Sequence, residues 1–243
     1  MKVSGGDVVS DRLSQLGADN FRFSPDGAVV AEQSTAGHRK YSHPAVGRGS
    51  YLRVKFIADK VFALTMLPVV AVLAIGLLCL NPFLNRGPLF FIQQRMGRGC
   101  RPFTMIKFRT MLPAQEIARR PDDQIETDRI TRLGHFLRKT RIDELPQVLN
   151  ILKGEMSLIG PRPDYWDHAQ HFITAVPGYR RRHAVLPGIT GLAQVEAGYI
   201  ESTEATAIKV RHDLDYIRRL GPGVEAYIAA RTIRVVLTGS GAR

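Results

Sequence analysis

The sequence has only two cysteines, Cys79 and Cys100. That is too few for a disulfide framework, and no CxxC pair or Cys/His cluster has the spacing of a zinc site. A secreted, disulfide-stapled protein is excluded. The standard phosphate-binding signatures, GxxxxGK followed by Ser or Thr and GxGxxG, are both missing. There is no internal repeat and no low-complexity tract. No basic region followed by a short apolar run opens the chain as a secretory signal would. Acidic residues are scarce beside basic ones, 22 against 34, for a formal charge of +12. That imbalance points to a polyanionic partner, and nucleic acid, nucleotide diphosphates and anionic lipid headgroups all qualify. Hydrophobic residues make up 44% of the 243, enough to bury a core in one or two domains, so a collagen-like or wholly disordered chain is excluded as well.

The charge is unevenly placed. Residues 1–50 hold six Lys/Arg and five Asp/Glu, so the excess lies downstream, 28 basic against 17 acidic residues in 51–243. The first fifty residues are rich in Gly, Ser, Asp and Ala, with Ala28-Val29-Val30-Ala31 as their one short apolar run. They read as a disordered tail or tether.

The twenty residues Val61–Leu80 carry no charge at all. As a helix rising 1.5 Å per residue they would reach about 30 Å, the thickness of a bilayer hydrocarbon core. Arg53, Lys55 and Lys60 precede the run, and Arg86 follows a stretch of helix breakers, Asn81–Pro88. Pro68 removes one backbone hydrogen bond and crowds the carbonyl of Leu64, which predicts a sharp kink. A kinked helix can enter one leaflet and return to the same side, as basic flanks at both ends favour. A single span with a tolerated proline fits the periodicity equally well.

After Pro88 the sequence is soluble in character. Residues 102–111 read as a strand in which Lys107 and Arg109, two apart, share a face. Ile130, Leu133 and Leu137 form the apolar stripe of a helix. A second helix is predicted from Asp143 to Leu152, with Gly154 as its stop. Val210, Leu214 and Ile217 mark a further stripe. The segment Val224–Leu237, apolar with isolated Arg231 and Arg234, suits either a membrane surface or a packed core helix.

Several of these residues could carry chemistry. Asp143 and Glu144 are adjacent carboxylates amid Arg138, Lys139 and Arg141. Nearby cations would hold an anionic substrate against Asp143, as would a divalent metal. Asp143 is also well placed simply to cap the helix, with Pro146 tolerated in its first turn. Ile159–Pro163 (IGPRP) is a stiff loop presenting Arg162, a guanidinium suited to bidentate phosphate bonds, or else merely a turn. Pro187–Gly191 (PGITG), preceded by Arg180, Arg181, Arg182 and His183, could offer backbone N–H groups to a phosphate. The remaining histidines show no metal-ligand spacing.

Taken together, Lys107–Met111 (KFRTM), Asp128–Thr131 (DRIT), Phe136–Thr140 (FLRKT), Asp143–Gln147 (DELPQ), Leu152–Pro163 (LKGEMSLIGPRP) and Pro187–Gly191 (PGITG) resemble the bacterial sugar transferase family. These are the monotopic phosphoglycosyl transferases of exopolysaccharide, O-antigen and glycoprotein assembly. The resemblance covers roughly residues 51–238, in the family's order and spacing.

It implies a mixed α/β, mostly helical protein in three parts. These are the tail at 1–50, a re-entrant membrane helix and exit loop at 51–88 broken at Pro68, and a catalytic body at 89–243 with a small sheet and interfacial amphipathic helices. The body would lie on the cytoplasmic face of the bacterial inner membrane. The implied reaction moves sugar-1-phosphate from a UDP-sugar to undecaprenyl or another polyprenyl phosphate, releasing UMP. By the same resemblance Asp143 is the nucleophile, forms a phosphosugar–aspartyl intermediate and contacts Mg2+, and Glu144, the second catalytic residue, supports either the metal or the proton balance. Lys107, Arg109, Arg138, Arg162, His183, Gly188 and Gly191 are the candidates for binding phosphate or nucleotide. Membrane lipid is an implied partner, and downstream glycosyltransferases are compatible ones.

Two departures stand out. Leu67 replaces the usual serine before Pro68, and Arg141 replaces the usual Ser or Thr two residues before Asp143. The charge alone would also suit a membrane-tethered nucleic-acid binder, but no nucleic-acid motif or aromatic ladder accompanies it. A non-catalytic scaffold is disfavoured by the intact Asp143, Glu144 and Arg162.

Overall fold

A computed structural model describes residues 21–23, 29–31, 48–113, 127–196 and 203–238. The chain divides into two units, Met1–His43 and Pro44–Arg243. In the first, strands β1 (Phe21–Phe23) and β2 (Val29–Ala31) pair antiparallel, with Phe21 opposite Ala31. The rest of the expected tail up to residue 47 lies outside the described residues.

The second unit opens with helix α1 (Arg48–Leu84), 37 residues that contain both Pro68 and Pro82. It is apolar and mostly uncovered: only 17% of its most apolar window is buried inside the protein. Val61, Leu64, Val72, Ile75 and Leu78 are each more than half exposed. A core helix of a water-soluble protein would hide such residues, so this surface is built to meet lipid. Asp59, Ala63, Val70, Leu77 and Asn81 are buried, and their spacing of four and seven puts them on one face. That face carries the contacts to the rest of the unit. Near the N-terminal end, Lys55 pairs with Glu225 at 3.0 Å, and Asp59 accepts from the Ser157 hydroxyl at 2.6 Å. Just past the C-terminal end, Asn85 donates to the Arg109 carbonyl at 2.8 Å.

β3 (Phe90–Met96) and β4 (Pro102–Phe108) follow as an antiparallel hairpin, Phe90 opposite Phe108 and Met96 opposite Pro102. β4 ends at Phe108, so the alternation expected over 102–111 stops before Arg109. Helix α2 (Arg132–Lys139) is capped by Thr131, whose hydroxyl accepts from the Gly134 N–H at 2.9 Å. The single helix expected from Asp143 to Leu152 is two elements. A 3-10 turn spans Ile142–Gln147, then helix α3 (Val148–Lys153) ends at Gly154. Pro146 sits inside the 3-10 turn, where its missing N–H is tolerated.

β5 (Ser157–Ile159) leads into the Gly160–Pro163 loop, and helix α4 (Trp166–Ala175) follows. A second 3-10 turn, Tyr179–Ala184, precedes β6 (Gly188–Thr190), which pairs parallel with β5. A short helix α5 (Leu192–Glu196) and two longer ones, α6 (Thr203–Arg219) and α7 (Pro222–Thr238), close the order. The result is mostly helical with little sheet. Its largest apolar cluster joins Ala63, Val70 and Leu77 of α1 to Met105 and Phe108 of β4, Leu137 of α2 and Ile151 of α3. This cluster ties the lipid-facing helix to the elements that carry the charged residues.

α2 crosses the segment after β4 at very short range. A Cβ on Gly134 would stand 1.9 Å from the Thr110 carbonyl oxygen, and Arg138 Nε donates to the Thr110 hydroxyl at 2.9 Å. Gly134→Ala forces the two backbones apart at a cost of about 1–3 kcal/mol. The expected outcome is a melting temperature several degrees lower in detergent, and an unchanged one would contradict the close packing.

Candidate active site

Glu144 and Asp143 are both buried, at 6% and 7% exposure, and neighbouring side chains treat them differently. Both lie in the first turn of the Ile142–Gln147 3-10 helix. Lys107 Nζ, from β4, donates to Glu144 Oε1 at 3.0 Å. Arg162, from the Gly160–Pro163 loop, donates to the same oxygen at 2.6 Å and approaches Oε2 at 3.5 Å. Burial alone would raise the Glu144 carboxyl, but Arg162 and Lys107 outweigh it and hold the group well below the ordinary carboxylate range. Glu144 is therefore an ionised anchor for two cations.

Asp143 has no such anchorage. Its Oδ1 is buried and accepts no hydrogen bond. Burial raises its pKa and the Glu144 charge adds to the rise, while Lys107, Arg162 and Arg138 pull the other way. It does not cap the helix either. The N-cap is Arg141, in the left-handed conformation at φ 60° with no capping side-chain bond. A non-glycine residue there costs about 1 kcal/mol or more, and that strained turn delivers the dyad. Chemically, a poorly solvated carboxylate with an unpaired oxygen can serve as a nucleophile or as a ligand to a cation.

The other sequence candidates separate into those brought to the dyad and those that are not. Lys107 and Arg162 bind Glu144. Arg138 lies within electrostatic reach of Asp143 and is held by Thr110. Arg109 is spent elsewhere. Its guanidinium donates to the carbonyls of Pro88 at 2.6 Å and Met111 at 3.2 Å and to that of Asn85. It braces the exit from α1 and is not brought to the carboxylates. His183 is buried with Nε2 unpaired, and burial and the Arg182 charge push it down to about 4. Its ring packs against Tyr179 at 5.3 Å.

Gly188 and Gly191 pack backbone against backbone. Added Cβ atoms would stand 2.1 Å from Gly160 N and 2.2 Å from Gly160 O. The Gly188 N–H donates to the Pro161 carbonyl at 3.0 Å, so it is not available to a phosphate. These glycines let the PGITG loop lie directly on the IGPRP loop. The Ile189 carbonyl then sits 3.5 Å from Arg162 NH1 and steadies the guanidinium on Glu144.

One cation was not among the sequence candidates. Arg95 of β3 interacts electrostatically with Arg162, Asp164 and Glu144, and burial followed by the Arg162 charge lowers it to about 10. Its NH1 donates to the Pro163 carbonyl at 3.2 Å. A lone arginine in an alternating strand has no signal of its own; only the hairpin register puts it there. Lys107, Arg138, Arg162 and Arg95 thus gather around two carboxylates, with Asp164 as a third acidic group near Arg95.

A divalent cation has one evident ligand here, Asp143 Oδ1. No group of three or more His, Cys, Asp or Glu side chains among the described residues could hold a metal. Such an ion would have to fill its shell with substrate phosphate oxygens and water, which is the habit of Mg2+.

The model of the bacterial sugar transferase family matches residues 50–239. Over 193 residues the chain is 41% identical to a UDP-N-acetylgalactosamine-undecaprenyl-phosphate N-acetylgalactosaminephosphotransferase of Aeromonas hydrophila, covering 79% of this chain and 46% of that protein. It is 41% identical over 182 residues to a UDP-glucose:undecaprenyl-phosphate glucose-1-phosphate transferase of Xanthomonas campestris, covering 72% and 37%. A protein of the same name from Caulobacter vibrioides is 40% identical over 154 residues, covering 63% and 58%. The chain therefore spans about half the length of these relatives.

The Glu144 pairing makes a pH prediction. The folded carboxyl titrates below its unfolded value, so its stabilisation is complete above the unfolded pKa of about 4.3 and is lost only as pH falls through the lower folded value. Glu144→Gln should cost about 3–5 kcal/mol at pH 7 by leaving Lys107 and Arg162 without a counter-charge. In denaturant titrations the gap should persist through mild acid and narrow only below about pH 4. Equal stability of the two proteins at pH 7 would contradict the pairing.

Proposed function

The chain belongs to the bacterial sugar transferase family, and from that premise we propose that it transfers sugar-1-phosphate from a UDP-sugar to a polyprenyl phosphate with Asp143 as the nucleophile. One observation carries the assignment: Glu144 is neutralised by Lys107 and Arg162, while its neighbour Asp143 keeps a buried oxygen with no partner.

An Asp143 carboxylate oxygen attacks the sugar-bearing phosphorus of the donor. The bond from that phosphorus to the bridging oxygen breaks, and UMP leaves with the oxygen and its electron pair. The sugar phosphate is left as an acyl phosphate on Asp143. A phosphate oxygen of the polyprenyl phosphate then attacks the same phosphorus, the carboxylate departs, and a polyprenyl-diphosphate sugar is formed. Splitting the transfer in two lets UMP leave before the lipid phosphate enters the same cationic site.

A carboxylate and a diphosphate repel, so the cluster must neutralise before it can react. Lys107 and Arg162, fixed on Glu144, present N–H donors beside Asp143, and Arg138 adds charge from α2. Asp143 would hold Mg2+ together with the substrate phosphates, and the ion would supply charge neutralisation of the diphosphate. Glu144 is committed to two cations and serves as their anchor.

The membrane arrangement is re-entrant in this reading. Support comes from the anchors at both ends of the uncharged run, Lys55 and Asp59 before it and Asn85 after it, which bind the same body. A helix crossing the bilayer would deliver those ends to opposite faces. The body then sits at one surface, the cytoplasmic one, where UDP-sugars are found, with the dyad near headgroup depth. α1 is continuous through Pro68 in the structure, and Pro68, with no N–H to give, is where this reading puts the bend on insertion.

Purified protein in detergent with undecaprenyl phosphate, Mg2+ and a panel of UDP-sugars tests the proposal. UMP release is expected with at least one donor, and Asp143→Asn should reduce it by about a thousandfold or more while membrane association persists. Release of UDP, or substantial turnover by Asp143→Asn, would overturn the assignment.

A further inference from the structure

Arg182 is 2% exposed, and every arm of its guanidinium is used within the protein. Nε donates to Asp213 Oδ2 of α6 at 2.8 Å, NH1 donates to Asp164 Oδ2, and NH2 donates to the Arg162 carbonyl at 2.7 Å. Around it, three consecutive carbonyls are held by three separate donors. The Arg162 carbonyl is taken by Arg182, that of Pro163 by Arg95, and that of Asp164 by the Met96 N–H at 3.1 Å. Tyr179 donates its hydroxyl to Asp164 Oδ2 at 2.7 Å. The loop that carries Arg162 to Glu144 is thus pinned at its backbone by a buried charge cluster reaching into the C-terminal helices.

A guanidinium is planar and rigid, so fixing one edge fixes where the other points. Asp213, 1% exposed, holds the Nε edge of Arg182 and so aims NH2 at the Arg162 carbonyl. Buried ion pairs contribute little net stability, and their best-attested service is to specify geometry. Asp213 fits that description: its Oδ1 is buried without a hydrogen-bond partner, an arrangement that costs stability. In a group transfer, an ångström of misplacement in a neutralising cation costs about 100-fold.

We propose that Asp213 and Arg182 are positioning residues that set Arg162 against Glu144, acting on the reaction only through Arg162. This rests on the reading of Arg162 as part of the transferase site.

A double-mutant cycle on the full chain in detergent tests it, using a radiolabelled UDP-sugar accepted by the wild type and an assay able to follow about a thousandfold loss. Asp213→Asn keeps the volume and removes the charge. Alone it should slow transfer about tenfold, and in an Arg162→Gln background by less than about twofold. In an Arg138→Gln background the full loss should return, because Arg138 is not held by this loop. Equal losses in all three backgrounds, or no loss in the first, would overturn the proposal, since general structural damage does not depend on Arg162. If Asp213→Asn fails to fold, Tyr179→Phe, which removes only the hydroxyl on Asp164, takes its place with the same outcomes. A wild-type protein without transfer activity would bring down the functional reading and this inference with it. An active one with additive losses would bring down this inference alone.

Discussion

The pairing of Glu144 with Lys107 and Arg162 is the interaction on which the site depends. It joins three parts of the chain that are distant in sequence: strand β4, the dyad turn and the IGPRP loop. It also resolves the ambiguity of two adjacent carboxylates. Two like charges side by side in a buried turn would each raise the other's pKa. With both cations taken by Glu144, the pair is asymmetric: one carboxyl is held below the ordinary range and the other is raised by burial and its neighbour. Environments that push two titratable groups apart also divide their work. In the proposed reaction, Glu144 orders the cations and Asp143 makes the bond.

Much of the remaining fold holds that pairing in place. The IGPRP loop is clamped from two sides by buried charge clusters. On one side Lys55 and Asp59 of α1 meet Glu225 of α7 and the hydroxyl of Ser157, and Tyr216 links Glu225 to the Ile159 carbonyl. On the other, Arg182 joins Asp164 to Asp213. The lipid-facing helix and the C-terminal helices are therefore both wired to the loop that presents Arg162. In the proposed reaction, with a lipid phosphate as acceptor, these links would couple the placement of α1 to the geometry of the site.

The parts legible in the sequence were those written in contiguous residues. Twenty uncharged residues announced α1, and the exposed apolar surface of that helix agrees. The DELPQ run located the dyad, and the two prolines around Arg162 marked a stiff presenting loop. Readings that needed the fold fared differently. Arg109 was placed beside Lys107 by strand alternation, but β4 stops at Phe108, and Arg109 turns to the carbonyls of Asn85, Pro88 and Met111 instead. Gly188 and Gly191 suggested a phosphate cradle, whereas their missing side chains serve the contact with Gly160. In the sequence Arg182 is simply one of three consecutive arginines before the PGITG loop. Its burial between Asp164 and Asp213 is a tertiary fact, as is the arrival of Arg95, because no local pattern joins positions 95, 164, 182 and 213. Which member of the dyad is paired was likewise invisible until Lys107 and Arg162 were brought to Glu144.

Whether the unpaired carboxylate of Asp143 is the one that forms a bond can be read most directly by intact-protein and peptide mass spectrometry. The protein would be incubated with Mg2+ and an accepted UDP-sugar, without polyprenyl phosphate. A mass increase of one sugar phosphate is expected, mapped to Asp143, absent from Asp143→Asn and discharged when polyprenyl phosphate is added. An adduct on Glu144, or full transfer to the lipid by a protein that never carries the sugar phosphate, would contradict that role for Asp143.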